Sequence, residues 1–183
     1  SLPEMEFEVM SVSSSIALSV AACATLTCSV VGASAPLAAV RTALATINGA
    51  SGYVHNLSAT GRVRGGRPTA SDGTSPPCAW VALGRLTSSH GPQLGRYQRN
   101  LVIDLEARAP STADTTEERE AIAADLLDDL ATAIETDRTL GGLVLDVIVE
   151  GATLDGEECG IPGIAVALVQ VSVYWYADSA AGV

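Results

Sequence analysis

The stretch Asn100-Leu-Val-Ile-Asp-Leu-Glu-Ala-Arg108 carries apolar side chains at its odd-numbered positions and mostly polar side chains at its even-numbered positions. An alternation of period two is typical of a β-strand that buries one face in a core and exposes the other to water. The apolar side is formed by Leu101, Ile103, Leu105 and Ala107, and the polar side includes Asp104, Glu106 and Arg108. This stretch therefore predicts a half-buried strand in a sheet with one face toward a core.

Further strands are predicted on both sides of this stretch. Ala79–Thr87 and Arg96–Arg108 form a long hairpin that turns around His90-Gly91-Pro92. Closer to the C terminus two more strands follow, and each keeps its inward residues on one face. These residues are Leu143, Leu145, Val147 and Val149 in the first strand, and Ala165, Ala167, Val169, Val171, Val173 and Trp175 in the second, which runs from Ile164 to Tyr176. Successive strands of this kind predict antiparallel pairs.

Two helices are predicted between the strands. The first covers Pro36–Ile47, because proline suits a first helical turn and Asn48-Gly49 ends the apolar pattern. The second starts at the capping box Thr115-Thr116-Glu117-Glu118, in which a threonine hydroxyl accepts from a free backbone N–H, and continues to Gly141-Gly142. Its apolar residues are Ile122, Leu126, Leu130 and Ile134, with Asp125, Asp128, Asp129 and Glu135 on its sides and back. The expected fold is α+β, a mostly antiparallel sheet with long hairpins and two helices packed on one face.

The chain is interpreted as an N-terminal extension, 1–35, followed by a single domain, 36–183. The extension alternates in a way that predicts a strand, although its alanines also permit a helix. Most of it lies in a run without charge from Val9 to Val40, but serine, threonine, glycine and proline dilute this run too much for a membrane helix. A signal peptide would begin with basic residues, whereas the chain begins with three glutamates, Glu4, Glu6 and Glu8. A membrane-anchored or secreted bacterial domain is therefore the more remote alternative, and no membrane partner is expected.

The composition and motifs exclude several classes of protein. The 183 residues carry a net charge of −11, which argues against nonspecific binding of DNA or RNA. The sequence contains none of the common nucleotide-binding, zinc-protease or serine-hydrolase motifs, and His55 and His90 are interpreted as solvated or hydrogen-bonding loop residues. The four cysteines lack a CxxC pair and are interpreted as reduced core residues: Cys23, Cys28, Cys78 and Cys159. No catalytic residue, metal or cofactor is predicted, and the chain is not expected to be an enzyme.

The charge is distributed unevenly along the chain. Residues 41–99 contain seven arginines and one aspartate, for a charge of +6, whereas 100–183 contain seventeen acids and three arginines, for −14. Within the basic part, a long polar loop carries Arg62, Arg64 and Arg67. Two interpretations remain open at this point. Either the differently charged faces are simply solvated, or the three arginines meet the acidic half of a neighbouring subunit in a head-to-tail contact that closes a ring.

Over residues 36–177, the order of secondary-structure elements and several short sequence stretches resemble those of the tail terminator proteins of long-tailed bacteriophages and of related gene transfer particles. The resemblance rests on the helix Pro36–Ile47, on Cys78-Ala-Trp-Val81, on Asn100–Arg108, on the helix with Glu117-Glu-Arg-Glu120 and Asp125-Leu-Leu-Asp-Asp-Leu130, and on Val173-Tyr-Trp-Tyr176. It implies a structural virion protein without catalytic residues or cofactor. A tail tube protein, or another neck or head-completion protein of the same assembly, is the close alternative because the folds are related.

The resemblance also implies partners and a location. Such a protein forms a ring, expected to be hexameric, that caps the tail tube, ends its polymerisation and joins the tail to the head-side connector or stopper protein. DNA would pass through the lumen without specific binding. The candidates for lining this channel are Asp104, Glu106, Asp146 and Glu150, on the solvent-exposed faces of strands that are expected to be adjacent. The ring would be assembled in the host cytoplasm and reside in the neck of the virion.

Overall fold

The computed structural model describes residues 32–69, 75–90, 96–112, 115–155 and 163–177. Within these residues the chain forms two α-helices, α1 (Ser34–Leu44) and α2 (Thr116–Glu135), and a short 3-10 helix at Gly49–Ser51. The strands are β1 (Val63–Gly65), β2 (Cys78–His90), β3 (Tyr97–Pro110), β4 (Asp146–Asp155) and β5 (Ile164–Ala177). The fold is α+β, as the sequence predicts. The prediction of a strand in the N-terminal extension falls on residues 1–31, outside the described residues.

The strands form one sheet in the order β1-β2-β3-β5-β4. β1 runs parallel to β2, and the other three pairs are antiparallel, so the predicted mostly antiparallel sheet is confirmed. β3 is central and pairs along its whole length with β5, from Tyr97 opposite Ala177 to Pro110 opposite Ile164. Because β5 pairs with β3 on one side and with β4 on the other, β4 lies at the outer edge of the sheet.

The two faces of the sheet differ in what packs on them. Odd-numbered residues of the central strands, such as Leu105 and Val169, share one core with Val40 of α1 and Leu126 of α2. This side is called the helix face. Successive side chains of a strand point to opposite sides, so the even-numbered residues of β3 and β5 lie on the other side. That second side is called the carboxylate face, after Asp104, Glu106, Asp146 and Glu150.

The first helix is shifted toward the N terminus relative to the prediction of Pro36–Ile47. α1 begins at Ser34 and ends at Leu44. After it, the N–H of Ile47 donates to the carbonyl of Leu44 at 3.2 Å, which is a tight turn and no longer an α-helical bond. Ile47 is nevertheless fully buried. The apolar pattern therefore continues past the end of the helix itself.

The second helix begins where the capping box predicts. Thr115 is the N-cap residue of α2, and its hydroxyl accepts a hydrogen bond from the backbone N–H of Glu118, 3.3 Å away. Glu117 and Glu118 lie in the first turn, where negative charge interacts favourably with the helix dipole. The sequence thus specifies this boundary through local hydrogen bonding.

The end of α2 differs from the prediction. The helix ends at Glu135, well before the predicted stop at Gly141-Gly142. The Asp137 carboxylate accepts from the N–H groups of Thr139 and Gly141, at 3.1 and 2.6 Å, and Leu140 adopts a left-handed φ of 49°. Such local hydrogen bonds from an aspartate compete with a further helical turn.

The strand β1 forms inside the stretch for which the sequence predicts only a polar loop. Its parallel pairing with β2 places Val63 opposite Ala79. The pairing is extended by the N–H of Ala79, which donates to Arg62 O at 2.8 Å, and by the N–H of Gly66, which donates to Val81 O at 3.0 Å. A partner strand thus makes an extended conformation favourable in a segment with no apolar alternation of its own.

Two other strand boundaries differ from the predictions. β4 begins at Asp146, so Leu143 and Leu145 precede it instead of sharing its inward face, and Leu145 is 50% exposed. Val147 is fully buried, as predicted. β2 extends to His90, which therefore ends a strand and does not lie in the loop where the sequence places it.

Candidate functional site

The four carboxylates predicted to line a channel lie on one face of the sheet. Asp104 and Glu106 are even-numbered residues of β3, and Asp146 belongs to the corresponding side of β4. Glu150 lies at a bulge of β4 and shares a surface groove with Asp104. The expectation that the two strands are adjacent is wrong, because β5 pairs with both and separates them.

Two adjoining cavities open on the carboxylate face, with volumes of about 490 and about 350 Å³. The larger lies beside the segment that follows β1 and is lined by Arg67, Pro68, Trp80, Asp104, Glu106 and Leu168, among others. The smaller is lined mainly by Arg67, Gly84, Arg85, Asp104, Glu150 and Gln170. Arg67 and Asp104 line both cavities and so lie at the boundary between them.

Arg67, predicted to contact a neighbouring subunit, pairs with Asp104 of its own chain. Nη2 of Arg67 lies 2.6 Å from Oδ2 of Asp104, and Gln170 Nε2 donates to Oδ1 of the same carboxylate at 3.2 Å. The side chains of Arg67 and Asp104 are 72% and 33% exposed, so solvent screens the pair. A residue predicted for the subunit contact and a residue predicted for the channel thus meet within one subunit.

The other two arginines of the loop contact their own backbone. Arg62 Nη1 donates to the carbonyl oxygens of Ser75 and Pro77, the latter at 3.1 Å. Arg64 Nε donates to the carbonyl of Gly61 at 3.1 Å. Arg62 therefore holds the loop to the chain just before β2. The three arginines contact different groups, and their role in a subunit contact stays a prediction.

Glu106 is held by Arg108, which stacks on an aromatic ring. Nε and Nη2 of Arg108 lie 2.8 and 2.6 Å from Oε1 of Glu106. The same guanidinium lies 4.8 Å from the centre of the Trp80 ring, a cation–π contact. Trp80 is 2% exposed, and its indole Nε1 has no hydrogen-bond partner among the described residues. The Trp80 ring therefore provides the apolar surface against which the guanidinium of Arg108 packs.

Asp146 and Arg138 together cap the start of β4. Nη2 of Arg138 lies 2.9 Å from Oδ2 of Asp146, and Arg138 Nε donates to the carbonyl of Val147 at 3.3 Å. The N–H of Val147 donates to Oδ1 of Asp146 at 3.0 Å. Side chains thus occupy both backbone groups of Val147, which disfavours pairing with another strand there. Glu150 differs, because its hydrogen-bond partner is the hydroxyl of Tyr174 at 3.4 Å.

A buried hydrogen-bonded pair lies on the helix side. Asp129 is 5% exposed and accepts from the N–H groups of Val54 and His55, at 3.1 and 2.8 Å. The Nδ1 atom of His55 also lies 2.9 Å from Oδ2 of Asp129. His55 is thus a hydrogen-bonding loop residue, as predicted, but the placement of Asp129 at the side of α2 is wrong. Asp129 follows Leu126 by three residues, and residues with this spacing lie on the same face of a helix, so the spacing indicates that Asp129 belongs to the buried face.

Cys78 is fully buried and forms no disulfide within the described residues, in agreement with the prediction of a reduced core residue. Burial raises the pKa of its thiol, although the nearby Arg108 and Arg62 act in the opposite direction. The thiol is therefore protonated near neutral pH and is a poor nucleophile. The predictions for Cys23, Cys28 and Cys159 fall outside the described residues.

In the part of the chain that the structure describes, no group of three or more histidine, cysteine, aspartate or glutamate residues is arranged to hold a metal ion. No helix of that part combines the length and the apolar character needed to cross a bilayer. No protein-family model and no curated protein matches the sequence. The contacts of the carboxylate face are therefore the basis of the functional proposal.

Proposed function

We propose that this chain is a structural subunit of a ring that caps the tail tube of a long-tailed bacteriophage or a related gene transfer particle. In this role it ends tube polymerisation, joins the tail to the head-side connector and resides in the neck of the virion. The observation that carries the proposal is the carboxylate face, which brings together Asp104, Glu106, Asp146 and Glu150. The resemblance of residues 36–177 to tail terminator proteins indicates which assembly the ring belongs to.

The carboxylate face suits a channel through which DNA slides. DNA phosphates bind clusters of free arginine and lysine side chains. On this face Arg67, Arg108 and Arg138 each lie 2.6 to 2.9 Å from a carboxylate oxygen, so a partner compensates their charge, whereas Arg85 forms no ion pair within the described residues. Glu150 adds a negative charge whose partner is a neutral hydroxyl. Compensation of the arginines, together with repulsion by the carboxylates, would keep DNA from sticking.

Closure of a ring requires a contact between two different surfaces of identical subunits. The chain offers surfaces of opposite charge for such a contact. Arg64 is an exposed residue of β1, whereas the exposed acids of α2 include Glu117, Glu118, Asp125 and Asp128. Opposite charges of this kind orient partners and speed their encounter. They favour a head-to-tail arrangement over a symmetric pairing of like surfaces.

Native mass spectrometry and negative-stain electron microscopy of the purified full chain test the ring. We expect a closed ring of six subunits that does not grow with time or concentration. Long tubes would identify a tube protein instead. A monomer at micromolar concentration would refute the ring altogether.

Charge reversal tests whether the arginine loop closes the ring. Arg64→Glu is the sharpest single variant, because Arg64 is exposed and its substitution leaves intact both the anchoring of the loop backbone by Arg62 and the pair of Arg67 with Asp104. We expect Arg64→Glu to weaken the ring, and Ser58→Glu, an exposed residue in the preceding loop, to leave it unchanged. If light scattering gives the same oligomer for Arg64→Glu and for the triple reversal of all three arginines, electrostatic closure is wrong.

Deletion of the gene in the particle-producing strain tests termination itself. Without the cap we expect tails of uncontrolled length that fail to join heads, and the wild-type gene should restore tails of uniform length. Electron microscopy of the lysate measures both outcomes. Normal tails joined to heads in the deletion strain would contradict the proposed function, whatever the oligomeric state of the purified chain.

A further inference from the structure

Among the described residues, the outer half of β2 is an open strand edge. β1 pairs only with residues 79–81, so no described strand pairs with the outer side of β2 from residue 82 to residue 89. Leu83 is 53% exposed and Leu86 is 38% exposed, although both lie on the helix face, opposite fully buried residues of β3. A long strand edge that carries exposed leucines is a site at which another strand can add.

The open edge also carries a charge. The register of β2 shifts between Leu83 and Arg85, so that Arg85 lies on the carboxylate face while both leucines stay on the helix face. Within the described residues Arg85 forms no ion pair, in contrast to Arg67, Arg108 and Arg138. The edge of β2 therefore combines apolar surface on one face with a positive charge on the other.

The opposite edge of the sheet, the outer side of β4, has the complementary chemistry. Beyond the capped Val147, Ile148 is 39% exposed, and the exposed Glu150 carries a negative charge on the carboxylate face. Leu145, just before the strand, is 50% exposed. Each neighbouring pair from β2 through β3 and β5 to β4 is antiparallel, so β2 and β4 run in opposite directions.

We propose that the β2 edge of one copy of this chain binds the β4 edge of a second copy, so that their two sheets join through an antiparallel strand pair. Five large apolar side chains are exposed among the described residues, and three of them, Leu83, Leu86 and Ile148, lie on these two strands, with Leu145 just before β4. The edges are different surfaces of one chain, so the contact is heterologous and closes into a ring or continues as a filament. The inference names the subunit contact of the proposed ring, and it rests on the proposed function only for closure.

Side-chain alternation restricts the register of this contact. Arg85 opposite Glu150 joins opposite charges on the carboxylate face. A shift by one residue would place side chains of opposite faces against each other. The pairs that follow are Leu86 with Val149 on the helix face and Thr87 with Ile148 on the carboxylate face. The ladder ends on one side at Val147, whose backbone groups are occupied by Arg138 and Asp146, and on the other side before residues 79–81 of β2, whose outer side is occupied by β1.

A charge swap tests the predicted pair. Arg85→Glu and Glu150→Arg should each raise the concentration at which half of the ring dissociates by roughly tenfold or more, and the double variant should recover most of the loss. Both residues are exposed, and circular dichroism verifies that the variants fold. Ser58→Glu, at an exposed position in the loop before β1, is the control and should have no effect. Unchanged single variants, or a double variant no better than the singles, would overturn the contact.

Disulfide cross-linking tests the register directly. Thr87→Cys and Ile148→Cys, made in separate chains and mixed under mild oxidation, should form a linked dimer that neither variant forms alone. The double variant should give a ladder that ends at the size of the ring. Thr42→Cys, exposed on α1, and the oxidised wild-type chain are the controls. Self-linking of Thr87→Cys would show a symmetric pairing of β2 edges and overturn the proposal, as would the absence of any link in the mixture.

The two proposals can fail separately. A six-subunit ring in native mass spectrometry, without the link between positions 87 and 148, would overturn this contact and leave the proposed function standing. The link in an open filament would support the contact and contradict the closed ring.

Discussion

Polar contacts are built differently on the two sides of the sheet. On the helix side, Asp129 is 5% exposed and accepts hydrogen bonds from two backbone N–H groups of one loop. On the carboxylate face, the side chains of Arg138 and Asp146 are 54% and 39% exposed. Removal of a buried acceptor leaves donors unpaired, whereas water replaces an exposed partner. The helix side therefore fixes the fold, and the carboxylate face keeps its charges accessible for contacts.

The largest effect is expected for Asp129→Ala on the helix side. We expect a loss of about 2–4 kcal/mol in the free energy of unfolding, because three donors, the N–H groups of Val54 and His55 and the His55 ring, lose their buried acceptor. Urea denaturation followed by circular dichroism measures this loss. Asp128→Ala, the exposed neighbour on the same helix, is the control and should change stability by less than about 0.5 kcal/mol. Equal losses in both variants would remove the contrast between the two sides.

A smaller loss of stability is expected at Gly84, where the backbone of β2 lies close to β3 on the carboxylate face. A Cβ atom at Gly84 would lie 3.0 Å from the carbonyl oxygen of Val102 and 3.1 Å from Oδ1 of Asp104, so Gly84→Ala should cost about 1–2 kcal/mol. Gly151, at the bulge of β4, has nothing within 4 Å of such an atom and provides the matched control. If Gly151→Ala were equally destabilising in urea, backbone flexibility would be the cause and the close approach would not.

The sequence predicts those parts of the fold that local rules determine. β3 and β5 bury most of their odd-numbered residues, as the apolar residues at these positions predict. The even-numbered residues of β3 are mostly polar, whereas β5 is apolar along most of its length. The start of α2 follows from the hydroxyl of Thr115. Each of these features depends on residues that are near one another in the chain, so the sequence pattern contains the necessary information.

Features that depend on distant residues were predicted less well. The sequence places Asp104 and Asp146 on the same face, but it does not show that β5 separates their strands, because strand order is set by tertiary pairing. The pairing of Arg67 with Asp104 joins two stretches that were assigned to different subunits and different roles. Side-chain partners of this kind are decided only when the sheet is assembled.

Two of the three arginine pairs of the carboxylate face provide a comparison within that face. The side chains of Arg108 and Glu106 are 14% and 22% exposed and rest on Trp80, whereas that of Arg67 is 72% exposed. Arg108→Ala should cost about 1–2 kcal/mol and Arg67→Ala less than about 0.5 kcal/mol in urea denaturation. A double-mutant cycle with Glu106→Ala should give a coupling energy near 1 kcal/mol for Arg108. A coupling energy near zero would show that the Arg108–Glu106 pair contributes no more to stability than an exposed pair does.

The smallest effect on stability is expected at Asp137, in the exposed turn after α2, and it depends on pH. Hydrogen bonds from the Thr139 hydroxyl, at 2.7 Å, and from the N–H of Gly141 lower the pKa of the Asp137 carboxyl below its ordinary value of 3.8. A lowered pKa in the folded state gives stability that is complete above the ordinary pKa and is lost as the pH falls through the folded-state pKa. Asp137→Asn should therefore lower the Tm slightly at neutral pH, and this difference should shrink below about pH 4. Asp125→Asn, an exposed acid on the helix, is the control. A Tm difference that stays constant down to about pH 2.5 would show that these hydrogen bonds favour the protonated and ionised forms equally.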